Sequence, residues 1–78
     1  MEAKMYIDDR GWIYKVMNSK KRGRIENAYK AHHRGIGEYA ERTGWNSVRV
    51  LPKRATFDAA QADLDRMAQE KGWREWQE

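Results

Sequence analysis

The chain has 78 residues, 36% of them charged and 40% apolar, which is enough for one small domain and no more. A domain of this size buries only about 60% of the surface its unfolded chain exposes. It contains no cysteine, which excludes disulfide staples, thiolate metal ligands and cysteine nucleophiles. No run of about 18 apolar residues is present, and the N-terminal Met-Glu-Ala-Lys-Met-Tyr lacks the apolar core of a signal peptide, so a soluble, cytoplasmic protein is expected. The net charge of +4 is unevenly spread: residues 1 to 56 balance at +7 and residues 57 to 78 at −3. Such a bipolar molecule attracts polyanions to its basic side, nucleic acid first and an acidic protein second. The same charges also serve simply to keep a small domain in solution.

Lys4 to Asp8 reads as a short first strand at a sheet edge, with Met5 and Ile7 on one face and Tyr6 on the other. Asp8-Asp9-Arg10-Gly11 has turn composition. Trp12 to Met17 is rich in aromatic and β-branched residues and forms the second strand, its larger apolar set of Trp12, Tyr14 and Val16 facing a helix. Asn18 to Arg24 follows as a hairpin loop crowded with Lys20, Lys21, Arg22 and Arg24. Ile25 to His33 fits both periods: Ile25, Ala28, Tyr29 and His32 are spaced for a helix, and Ile25, Asn27, Tyr29 and Ala31 for a strand. The preceding hairpin signal favours the strand, but Asn27 then points toward the core, a conflict that a bulge or a helix avoids.

Gly35 to Gly44 is a long loop with room for one helical turn at Glu38 to Arg42. Trp45 to Leu51 is the last strand, stopped by Pro52. The strongest signal follows. At about 100° per residue Phe57, Ala60, Leu64, Met67 and Ala68 share one helix face, with Asp58, Asp65, Arg66 and Gln69 off it. Thr56 is a helix cap and Asp58 complements the helix dipole; Gly72 ends the helix, with Trp73 folding back on Met67 or Ala68. The expected fold is a single α+β domain over residues 1–78. An antiparallel three- to four-stranded sheet over about 4–51 packs against one C-terminal helix over about 57–71, in the order β-β-β-β-α, leaving a short tail at 73–78.

With Trp12, Tyr14, Val16, Tyr29, Val48 and Val50 toward the helix, the other sheet face presents Lys15, Arg24, Lys30 and Arg49, interspersed with Ile13, Met17, Ala28 and Leu51. Adding the basic turn, the candidate nucleic-acid-binding residues are Lys15, Lys20, Lys21, Arg22, Arg24, Lys30 and Arg49. Double-stranded DNA is the expected partner, because antiparallel strands bearing cations can enter a major groove. A solvated face, or docking of a small inhibitory factor on an acidic protein, uses the same residues. Trp12, Tyr14, Tyr29 and Trp45 supply either core bulk or a stacking platform for single strands. His32 and His33, adjacent on a strand, point to opposite faces and cannot both bind one ion unaided. Asp8-Asp9 suits a turn better than an acid–base pair, and no phosphate-binding loop or nucleophile motif is present. No catalytic residue, cofactor or metal is expected.

Gly11-Trp12, Trp45 and a helix beginning Thr56-Phe57, with Ala60 and Leu64 following, form a pattern that resembles the arm-type DNA-binding domains of phage and transposon integrases and, more distantly, plant AP2-type domains. The chain is also similar to small stand-alone proteins of phage and other mobile elements. In the integrase and AP2 families the sheet, not the helix, enters the major groove, which implicates Lys15, Arg24, Lys30 and Arg49. The first strand at 4 to 8 and the Gly35 to Gly44 loop depart from that pattern, and no integrase catalysis is implied.

Overall fold

The structure is a computed structural model in which residues 3–77 are described. In chain order the elements are β1 (Met5–Ile7), β2 (Ile13–Lys21), β3 (Arg24–Arg34), α1 (Glu38–Thr43), β4 (Asn46–Ser47), α2 (Phe57–Lys71) and β5 (Arg74–Trp76). All strands join one antiparallel sheet in the order β4-β3-β2-β1-β5. The α+β class and the sheet packed against a C-terminal helix are as expected, but the strand count and the edges are not. β1 is internal: the expected tail forms β5, which pairs along β1 with Met5 opposite Trp76 and Ile7 opposite Arg74.

The expected strand at 45–51 shrinks to two residues. The Val48 N–H donates to the Ala31 carbonyl at 3.0 Å, after which the chain turns and Leu51 N–H bonds back to the Val48 carbonyl at 3.3 Å. That turn reverses the last two apolar residues: Val50 is 74% exposed, whereas Leu51 packs against the core. It also removes Arg49 from any strand. The chain regains β3 at one point, where Tyr29 and Arg54 exchange backbone hydrogen bonds of 2.7 Å.

The loop expected at Asn18 to Arg24 is mostly ladder. β2 runs on to Lys21, and the connection is only Arg22 and Gly23, both at positive φ (53° and 79°), the two-residue turn whose twist matches a hairpin. Asn18 pairs with Tyr29 but Lys20 pairs with Ile25, so residues 26 to 28 bulge out of register. The bulge answers the conflict over Asn27, which is exposed although its neighbours are strand.

One face of the sheet carries the core. Tyr14, Val16, Ala31 and Val48 meet Ala60 and Leu64 of α2, flanked by Trp12, Tyr29, Phe57 and Trp73. α2 has the expected ends: Thr56 Oγ1 accepts from Ala59 N–H at 3.2 Å. At the other end Gly72 is left-handed (φ 72°, ψ 28°), its N–H reaches Gln69 O and the Trp73 N–H reaches Ala68 O. The Trp73 ring stacks on Tyr14 at 4.2 Å. Three polar residues of α2 are structural, among them Asp65, which the helical period places off the apolar face. Gln61, 1% exposed, makes an amide pair with the Lys4 backbone (3.3 and 3.2 Å) and also donates to Asp65. Asp65 accepts from the Tyr6 hydroxyl at 2.6 Å, and Asp63 pairs with Arg54 at 2.8 and 3.0 Å. Much of the helix's acidity is therefore used internally.

Candidate nucleic-acid interface

Strand pairing determines which side chains share the face opposite α2. Lys15 lies across from His32, Met17 from Lys30, and Ile13 from Arg34. Ser47 sits beside His32, and on the far side Ile7 and Met5 stand opposite Arg74 and Trp76. The face thus carries Lys15, Lys30, Arg34 and Arg74 among apolar residues. Lys15 and Lys30 are where the sequence puts them. Arg49 is not; it lies in the turn after β4. Arg24 stands at the hairpin tip expected of it, where it pairs with Lys21 beside the Arg22-Gly23 turn, and not among Lys15 and Lys30 at the centre of the face.

The hairpin tip is the most exposed part of the sheet. Every residue from Lys20 to Ile25 is exposed, and Gly23 has no other residue's atoms within 4 Å of where a Cβ would stand. Lys20, Lys21, Arg22 and Arg24 cluster there. Among the described residues the ion-paired cations are Arg10 with Asp8, Lys53 with Glu26 and Arg54 with Asp63. None of the seven basic residues singled out from the sequence is in that set. Their charge is therefore not neutralised by an ion pair among the described residues.

The sequence leaves Trp45 between core bulk and a stacking platform, and it does not single out Arg34 and Arg74. Once residues 24–34 form a strand, Arg34 follows Lys30 and His32 by period two, one residue beyond the expected end at His33. Trp45 was grouped with Trp12, Tyr14 and Tyr29, which do line the core. It lies instead on the open face, with Lys15 Nζ 4.6 Å and Arg34 Cζ 5.3 Å from its ring centroid. Beside it, between the sheet face and the α1–β4 segment, is a cleft of about 630 Å3.

The histidines diverge, as adjacent strand residues do. His32 Nδ1 lies 2.9 Å from the Lys30 carbonyl, which can only accept, so that nitrogen carries a proton. His33 packs between Trp12 and Tyr14, and its Nδ1 is buried with no partner among the described residues. Burial and the nearby Arg10 hold the His33 pKa below its ordinary 6.5, with Asp8 opposing and His32 adding to the effect. The folded state thus prefers neutral His33, and the unfolded chain takes up the proton first as pH falls. The stability that His33 contributes should be constant above about pH 6.5 and decline below it. Urea unfolding at about pH 7.5 and 5.5 checks this; His33→Phe, which keeps the ring contacts and removes the orphan nitrogen, should flatten that decline and add about 1 kcal/mol at neutral pH.

Asp8 organises the β1–β2 turn. Its carboxylate accepts from the Arg10 and Trp12 N–H groups at 2.9 and 3.0 Å and from the Tyr14 hydroxyl at 2.8 Å. Burial alone pushes its pKa up, but these bonds and Arg10 outweigh it and hold the carboxyl below its usual value. Among the described residues no group of three potential metal-ligating side chains comes together, and no helix is long and apolar enough to cross a membrane. Comparison with family models, curated proteins and solved structures returns no match.

Proposed function

We propose that the domain is a non-enzymatic module that binds double-stranded DNA through the phosphate backbone, using the tip of the β2–β3 hairpin and the adjoining open face. The observation that carries this reading is the distribution of unpaired cations: Lys15, Lys20, Lys21, Arg22, Arg24 and Lys30 lie along one hairpin with no carboxylate partner among the described residues, while the ion-paired cations lie elsewhere. Two antiparallel strands are narrow enough for a major groove, and a tight turn holds Arg22 at the apex, where phosphates are met first. Arg49, in its turn outside the sheet, is the weakest member of the set. The contacts are to backbone, so binding should be largely independent of sequence.

Docking on an acidic protein is the second reading, favoured by Ile36 and Tyr39, which are 66% and 76% exposed around α1. Salt separates the two. Engagement of about five phosphates gives a log–log slope of affinity against salt near −4 to −5. Fluorescence anisotropy with a random duplex at low and physiological salt should show that steep loss. A complete lack of binding at low salt would remove DNA and leave the protein partner.

A further inference from the structure

The open face is not flat, and its concave part has chemistry that a duplex cannot use. The cleft of about 630 Å3 lies within the range of small-ligand pockets. Trp45 lines it, while Lys15 and Arg34, the cations over the Trp45 ring, do not. Lys20 and Lys30 also line it, bringing two positive charges without carboxylate partners among the described residues. Asn18 and Asn46 complete the polar wall. Each amide is oriented by its nitrogen, which donates to the Glu26 or Gly44 carbonyl at 3.4 Å.

An indole and two ammonium groups form a set that complements one nucleotide: a base to stack and phosphates to neutralise. Bases within a duplex are stacked and cannot enter such a cleft without being extruded. We infer that the Trp45 cleft receives an unpaired nucleotide, so that the preferred ligand is DNA in which a duplex adjoins a short single strand. Lys20 joins the two parts, because it belongs both to the hairpin tip and to the cleft wall. This inference rests on the proposed duplex binding and adds a substrate class to it. Stacking on Trp45 is tolerant of base identity, so the preference is for strand structure, not sequence.

The test compares a blunt duplex with a duplex of equal phosphate count that ends in a short single-stranded overhang, by anisotropy at physiological salt. The overhang should bind about 10-fold more tightly, the effect expected for stacking one base on an aromatic ring. Trp45→Ala should bring the ratio of the two affinities to about 1, and Trp45→Phe should keep most of it. Should Trp45→Ala fail to fold, photocrosslinking of the wild-type protein to 5-iodouracil in the overhang decides the matter, since the crosslink should map to Trp45. Equal affinity for both DNAs, or a crosslink confined to other residues, overturns the inference and leaves the duplex reading standing. Binding to neither DNA at low salt overturns both.

Discussion

Reversing three charges at the hairpin tip, Lys21→Glu with Arg22→Glu and Arg24→Glu, should weaken duplex binding by roughly 100- to 1000-fold at physiological salt and reduce the salt slope by about 3, one phosphate contact per cation. The fold should survive. All three side chains are exposed, and none is in an ion pair among the described residues. Lys21 and Arg24 already stand opposite each other as like charges, and a pair of glutamates repels no worse. Glutamate at position 22 meets the same positive-φ strain as arginine, so the turn is not further burdened. Anisotropy gives the affinity and a circular-dichroism melt gives the integrity. Unchanged affinity in a protein that melts normally would remove the hairpin from the interface. Lys15→Glu with Lys30→Glu, made on the neighbouring sheet face, then tells whether that face binds without the tip.

Leu64→Ala should cost about 3 kcal/mol and lower the melting temperature by about 12–24 °C for a domain of this length. Leu64 is fully buried at the centre of the layer between helix and sheet. Its neighbours cannot collapse into the space it leaves. Tyr14 is held by its hydroxyl at Asp8 and by the Trp73 ring, Val16 is confined by its β-branch, and Ala31 and Ala60 have nothing to extend. In so small a domain such a loss is a large share of total stability. Thermal melting checks it, and a shift of only a degree or two would mean that the core is centred elsewhere.

The reach of the sequence is clearest at α2. Its apolar stripe and both caps are local signals, set by residues a few positions apart, and all of them hold. The polar residues of that helix show where such reading stops. Gln61 and Asp65 are buried or half-buried because Lys4 and Tyr6 lie against them, and partners almost the whole chain away leave no trace in a helical period. β5 was missed for the same reason: three residues carry too little pattern to reveal a strand whose only partner is β1. At the candidate interface Lys15 and Lys30 were legible from alternation alone. Arg49 was not, because Val48 and Leu51 bond to each other across a turn that Val50, β-branched and apolar, disguises as strand. Trp45 has the composition of a core residue, and only the tertiary arrangement reveals that it faces the cations.

The pairing of β1 with β5 also constrains the order of assembly. Met5 and Trp76 are neighbours in the sheet although nearly the entire chain separates them, so their contact closes the largest loop the molecule has. The β2–β3 hairpin needs only a two-residue turn and can form early, whereas the outer strand can dock only after α2 has been wound and its glycine stop has turned the chain back. Until then β1 has an unsatisfied edge, open to pairing with another molecule. Folding of this domain should therefore be gated by its last step, and a chain lacking Arg74–Trp76 should self-associate more readily than the full one, as sedimentation of the two at equal concentration would show.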